Sequence, residues 1–256
     1  CCRVVRGSVA RRGAGPRSVP GGGEPDARAL ARRLARCIPA PYGGLLAVAA
    51  GSGVDPVWVV SASRELYLRV AGGTVTSGPI KGTAPTPAGL TAKDRAENVM
   101  ITDLVRNDLQ RVCDPGTVEV TDLLAVDQHP GLVHLVSTVT GRLRAGLAGS
   151  AALWPALLET TFPPASVSGA PKSSALRIID ALEPVPRGPY CGAIGWVDGD
   201  EAVLAVGIRT FWWSDGVLRF GTGAGITWGS DPAREWEETE LKARRLVGLA
   251  SGTLEP

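Results

Sequence analysis

The chain has little of what builds a disulfide or zinc framework: five cysteines, at positions 1, 2, 37, 113 and 191, and two histidines. The cysteines are odd in number and scattered, and no C-x-x-C pair occurs, so neither a stapled secreted scaffold nor a zinc finger is indicated. Long apolar runs are lacking too. The longest, Leu45 to Ala50, falls far short of the roughly 20 residues a bilayer span needs, and Arg and Gly stand where a signal peptide has its apolar stretch. These absences predict a soluble cytoplasmic protein with no membrane partner. Charge of one sign is equally scarce: Lys+Arg 27 against Asp+Glu 25 leaves +2, which gives no argument for nucleic acid as a partner. Methionine occurs once, at Met100, while the chain starts on Cys1-Cys2, which reads as a truncated or fragmentary start.

What is present suits one large domain or two small ones: 256 residues, of which 44% are hydrophobic. Charge is unevenly spread. Residues 1–36 hold nine arginines against Glu24 and Asp26, +7, leaving −5 for the remainder. Within this head, residues 7–25 are rich in Gly and Pro and poor in apolar side chains, so residues 1–25 are predicted to be a disordered or aberrant arm and 26–256 the folded domain.

Leu30 and Leu34, one turn apart among arginines, predict a helix over 27–36. Short apolar runs then alternate with Gly, Ser and Asp, as successive antiparallel strands do. Leu66, Leu68 and Val70 fall on one strand face and Glu65, Tyr67 and Arg69 on the other, and Gly72-Gly73 turns the chain into a strand from Thr74 toward Lys81. Helices are predicted at 91–109, 151–160, 171–182 and 232–250, and strands at 117–120, 132–142, 192–197, 202–213 and 217–221. The fold class is therefore α+β (mixed α/β), with antiparallel-rich sheets and helices packed outside.

Several segments can carry chemistry. Asp231-Pro232 caps the last helix, and Glu235, Glu238 and Lys242 share one face of it. Two carboxylates one turn apart suit a hard divalent cation; they equally suit an acidic, solvated first turn at the positive end of a helix dipole. Upstream, the Gly-rich turn Gly221–Gly225 suits either a backbone nest for an anion or a flexible connection. Ser168 can cap a helix beginning near Pro171 and Lys172, with or without an anionic ligand. Lys81, before a glycine at a strand end, is a nucleophile if desolvated and otherwise a solvated cation. His134 faces either a ligand or a satisfied core position.

Longer motifs join these pieces. PIKGT (79–83), KDRAENVMITDLVRNDLQRVCDPGTV (93–118), HLVSTVTGRL (134–143), FPPASVSGAPKSSALRIIDALEP (162–184), RGPYCGAIGW (187–196), IRT (208–210) and GAGITWGSDPAREWEETELKA (223–243) occur in that order. Together they resemble the chorismate-utilising enzymes, a family that includes anthranilate synthase component I, aminodeoxychorismate synthase component I and the isochorismate synthases. The resemblance spans about residues 27–250 and implies that family's chorismate-binding fold, incomplete at the N-terminus because an early helix and strand segment is missing. It implies one Mg2+ held by Glu97, Glu235 and Glu238, and a chorismate carboxylate received by the amides of Gly223, Ala224 and Gly225. Tyr190 and Arg209 match contacts to the enolpyruvyl carboxylate, Ser168 and Lys242 match further substrate contacts, and His134 matches the histidine near the departing C4 hydroxyl.

Lys81 selects within the family, since PIKGT resembles the aminodeoxychorismate synthases, where the anthranilate synthases read PIAGT. The resemblance thus implies amination of chorismate to 4-amino-4-deoxychorismate, with Lys81 attacking C2 and Glu65 as general acid. Ammonia is implied to come from a separate glutamine amidotransferase subunit. The alternatives are anthranilate synthase and a non-catalytic fragment that binds chorismate or the partner.

Overall fold

The computed structural model describes residues 3–12, 24–48, 51–53, 55, 57–129 and 131–252. Its elements in chain order are β1 (Arg3–Arg12), α1 (Ala27–Cys37), β2 (Gly44–Val48), β3 (Val57–Ser61), β4 (Leu66–Ala71), β5 (Thr74–Gly78), β6 (Ile80–Ala84), α2 (Ala92–Gln110), β7 (Glu119–His129), β8 (Leu132–Arg142), α3 (Leu153–Thr161), α4 (Ala165–Ser168), α5 (Lys172–Leu182), β9 (Ala193–Asp198), β10 (Glu201–Val206), β11 (Thr210–Ser214), β12 (Val217–Ile226) and α6 (Pro232–Ser251). The mixed α/β class expected from the sequence is present, and the pairings of β1 with β12, β3 with β2 and β11, and β8 with β5, β6 and β7 are antiparallel. Where the sequence reads 26–256 as one domain, the chain divides into two compact units. One comprises Cys1–Arg64, Ser173–Ile194 and Gly207–Pro256; the other comprises Glu65–Lys172 and Gly195–Val206.

The first unit is built on a five-stranded sheet ordered β1-β12-β11-β3-β2. Leu30 and Leu34 of α1 and Leu246 and Leu249 of α6 form one core with Trp58, Val60, Phe211, Trp213 and Phe220 of the sheet. Asp26 starts α1 by accepting the Ala29 N–H at 2.9 Å, and Arg33 donates to the Leu249 carbonyl at 2.6 Å, which ties the two helices together. The expected disorder of residues 1–25 is corrected for Arg3–Arg12, which pair along all ten residues of β12. A strand edge presents a row of backbone donors and acceptors, and a segment with Val4, Val5 and Val9 among arginines has the β-branched content to take it. The rest of that arm, 13–23, lies outside the described residues.

The second unit holds the other sheet, ordered β6-β8-β5-β4-β10-β9, with β7 also on β8. Both faces of β4 are covered: Tyr67, predicted on the polar face, is buried with Leu66, Leu68 and Val70, and Arg69 alone among these is exposed. Two predicted strands divide. Residues 74–81 break at Pro79 into β5 and β6, and 202–213 break at 207–209 into β10 and β11, which belong to different sheets. Thr91 and Asp94 cap each other's backbone N–H groups at the start of α2. That helix turns Asn98, Ile101, Thr102 and Leu109 inward, while Val99 and Met100 are exposed. No helix among the described residues is long and apolar enough to cross a membrane.

Leu34, 2% exposed, carries the junction of α1 with the sheet of the first unit. Leu34→Ala is expected to cost about 2–5 kcal/mol through lost transfer and a residual cavity. Urea unfolding checks this, and a midpoint unchanged from the parent protein would remove α1 from the core.

Candidate active site

Glu65, Lys81, Glu97, His134 and Ser168 all belong to the second unit. Lys81 is carried by β6, whose register against β8 shifts between Ile80 and Thr83. Gly82 lies at that irregularity with φ +88°, and a Cβ there would sit 2.8 Å from the Asp94 Cβ of α2. Only glycine meets both demands. Half-buried Lys81 is held by donation from Nζ to the Ser166 carbonyl of α4 at 3.0 Å.

His134 is directly opposite Thr83 across β6 and β8 and is 1% exposed. Its Nδ1 is 2.8 Å from Thr83 Oγ1, and the His129 ring meets it edge-on at 5.3 Å between centroids. His134 is thus a buried, hydrogen-bonded histidine. Glu97, half-buried on α2, is 3.7 Å from Lys93 one turn earlier, a surface pair of small energetic value.

Glu65 precedes β4, is 5% exposed, and accepts the Val206 N–H through its carbonyl at 3.0 Å. With Tyr67, Ser77, Asp108, Thr161 and Ser166 it lines a cavity of about 20 Å³, room for about one water molecule. Tyr67 shares a 2.6 Å hydrogen bond with Thr161, and burial, reinforced by the negative charge of Asp108, pushes its phenol up to about 12. Asp108 is in turn paired with Lys172 at 2.8 Å, and Lys172 also donates to the Thr160 carbonyl at 3.1 Å. Sequence reasoning misses this cavity. Asp108 lies in a quoted motif, but Tyr67 and Thr161 become its neighbours only through tertiary packing.

Ser168 departs from expectation. Rather than capping the following helix, it closes α4, is 1% exposed, and donates its hydroxyl back to the Pro164 carbonyl at 3.0 Å. A hydroxyl four residues after a carbonyl on one helical turn reaches it without strain, and this bond outcompetes the cap.

Tyr190, Arg209, Gly223, Ala224, Gly225, Glu235, Glu238 and Lys242 belong to the first unit. Tyr190 is 5% exposed against Gly221, where any Cβ would overlap the ring. The Arg187 guanidinium lies 6.0 Å from the ring centroid and is itself clasped by Glu183 at 2.6 and 3.0 Å, while burial holds the Tyr190 phenol well above its ordinary range. Arg209 adopts φ +53°, rare for a residue with a Cβ, and its carbonyl accepts the Ala62 N–H at 3.0 Å.

The expected Gly-rich turn is corrected to strand. Gly223, Ala224 and Gly225 lie within β12 opposite Arg6, Val5 and Val4, because β1 extends the ladder past Phe220, where the pairing with β11 stops. On α6 the predicted face exists. Asp231 accepts the Arg234 N–H at 3.0 Å as N-cap, Glu235 is 4% exposed, and Lys242 binds Glu238 at 2.6 Å and reaches to 3.5 Å from the Gly223 carbonyl. These carboxylates are hard oxygen donors, the kind Mg2+ prefers. Among the described residues, no three His, Cys, Asp or Glu side chains gather closely enough to form a metal site.

Two antiparallel sheets and this assortment of carboxylates, lysines and a buried histidine define a known class: the chain belongs to the family of chorismate binding enzymes, which matches residues 17–248. It is 38% identical over 226 residues to anthranilate synthase component 1 of Saccharolobus solfataricus, covering 83% of this chain and 51% of that protein. It is 43% identical over 232 residues to the aminodeoxychorismate synthase of Streptomyces griseus, covering 85% of this chain and 31% of that protein. Among solved structures, anthranilate synthase component I of Streptococcus pneumoniae TIGR4 superposes with a TM-score of 0.78 at 30% identity, over 96% of this chain and 52% of that one. The chain thus spans about half the length, or less, of these relatives.

Gly82→Ala is expected to destabilise the second unit by about 1–3 kcal/mol, from an unfavourable φ and the clash with Asp94; a denaturant midpoint equal to that of the parent would refute the close approach. Tyr67 gives a pH dependence. Because its phenol is raised from 10.0 to about 12 in the fold, the protonated form is favoured there, so its contribution to stability is intact below pH 10 and is lost as pH rises toward about 12. Tyr67→Phe should flatten that alkaline decline in thermal unfolding.

Proposed function

We propose that this chain is the catalytic part of an aminodeoxychorismate synthase, converting chorismate and ammonia to 4-amino-4-deoxychorismate on the way to 4-aminobenzoate and folate, in the cytoplasm. The observation that carries the reading is Lys81: an amine held at 3.0 Å by the Ser166 carbonyl, on a strand bonded to the one that presents His134. Attack at C2 of chorismate shifts the ring double bonds and breaks the C4–O bond; Glu65 gives the hydroxyl its proton, so it leaves as water. Ammonia then adds at C4, the electrons shift back, the C2–N bond to Lys81 breaks, restoring the amine, and the proton that the new C4 ammonium loses returns to the Glu65 carboxylate. Fixing the amine against the ring replaces a bimolecular substitution by two intramolecular steps.

Tyr190, Arg209 and Lys242 are read as substrate contacts, with Ser168 and the Gly223–Gly225 backbone. Mg2+, when bound, would offset the charge of the substrate carboxylates, and the resemblance gives its ligands as Glu97, Glu235 and Glu238. A glutamine amidotransferase subunit would supply the ammonia. The 43% identity to the Streptomyces griseus enzyme supports this reading, and the 38% identity to the Saccharolobus solfataricus protein supports anthranilate synthase as the second.

One assay separates them: purified protein with chorismate, Mg2+ and ammonium salt, followed by mass spectrometry and by anthranilate fluorescence. Aminodeoxychorismate is expected; fluorescent anthranilate would establish the second reading instead. No product from a protein that still unfolds cooperatively would leave a binding fragment. Lys81→Ala should abolish any covalent adduct, and Glu65→Gln should slow turnover by about 10²-fold or more; an unchanged rate in Lys81→Ala would end the nucleophile role.

A further inference from the structure

Asn98 is fully buried on α2, next to Glu97, yet it is polar and the proposed mechanism gives it no part. Its Nδ2 donates to the carbonyl of Leu135, the residue after His134, at 2.9 Å. Its Oδ1 accepts from the hydroxyl of Ser137, also fully buried, at 2.5 Å, and lies 3.3 Å from Thr102 Oγ1. Ser137 extends the network in two directions. Its hydroxyl accepts the Leu124 N–H at 3.1 Å, where β7 breaks register with Leu124 at φ +57°, and its own N–H donates to the carbonyl of Pro79 at 3.1 Å, two residues before Lys81.

We propose that Asn98 and Ser137 are the positioning residues of the second unit: one buried node that fixes Glu97 on α2, His134 on β8 and the strand of Lys81 relative to one another. The physical argument is satisfaction. In a dry interior an amide finds few partners, and replacing any of these bonds leaves a donor or acceptor stranded, so a single geometry of α2 against β8 satisfies all of them. Apolar contacts alone would let the helix slide by fractions of an ångström without a comparable penalty. Misplacement on that scale is what a site of preorganised groups tolerates least.

The inference rests on reading Glu97, His134 and Lys81 as site residues, and its test does not require turnover. Ser137→Ala removes the hydroxyl but keeps the backbone bond to Pro79; Asn98→Asp keeps the shape and the acceptor but loses the Nδ2 donor. Leu157→Ala, a fully buried apolar truncation in α3, is the control for simple loss of stability. The imidazole ¹H–¹⁵N signals are read at fixed pH, with His129→Gln assigning the two histidines. Ser137→Ala and Asn98→Asp are expected to displace the His134 signals, and Leu157→Ala to leave them in place. If the chain turns chorismate over, the same two variants should lower kcat by about 10- to 100-fold with KM within about twofold. His134 signals in Ser137→Ala that match those of the parent or of the Leu157→Ala control would overturn the proposal, whether or not Asn98→Asp folds. Absence of turnover in the parent protein would count against the proposed function, while the displacement of the His134 signals would still decide the positioning role.

Discussion

The hydrogen bond from Asn98 Nδ2 to the Leu135 carbonyl crosses from the long helix of the second unit to the strand that carries the buried histidine. Much of the unit's polar interior hangs from it. β8 is bonded on both sides, to β5 and β6 and to the irregular strand β7, and β7 keeps its break at Leu124 because Ser137 supplies the acceptor that a neighbouring carbonyl would otherwise provide. A helix seated by amide and hydroxyl side chains has a register that apolar packing would not fix. Beside the apolar Ile101 and Leu109, α2 turns Asn98 and Thr102 inward, while Val99 and Met100 face solvent.

Clearance is the matching constraint in the first unit. The Tyr190 ring can lie flat on β12 because Gly221 has no side chain, and Arg187 then closes over it with Glu183 holding the guanidinium. The same logic acts at Gly82, where absence of a Cβ lets Asp94 of α2 approach β6 while Asp94 also caps its own helix through Thr91. Both glycines sit within two residues of a proposed site residue or directly against one. Their role is spatial: each admits a neighbour that a Cβ would exclude.

Much of the fold is legible where a local cause dominates. Asp231 starts its helix as its side chain predicts, and Leu30 with Leu34 marks the inner face of α1. The face of α6 that gathers Glu235, Glu238 and Lys242 follows from 3.6 residues per turn. Legibility fails where partners come from far along the chain. The Gly221–Gly225 segment reads as a turn because glycine weakens strands, and becomes strand because β1, more than two hundred residues earlier, pairs with it. Composition alone likewise makes Arg3–Arg12 look disordered. Alternation puts Tyr67 on a polar face, and it is buried because its sheet is covered on both sides.

The cavity beside Glu65 bears on how a carboxylic acid could serve as a proton donor here. A group that must deliver a proton needs an environment that disfavours its anion, and burial or a neighbouring negative charge each provides one. Glu65 is 5% exposed, and Asp108 lines the same small space. Yet Asp108 is clamped by Lys172, which also holds the end of α3, so its charge is shared with a cation. That cavity has space for about one water. On the proposed reading the polar residues around Glu65 form one lining, in which Tyr67 and Thr161, bonded to each other, close the wall without adding a charge.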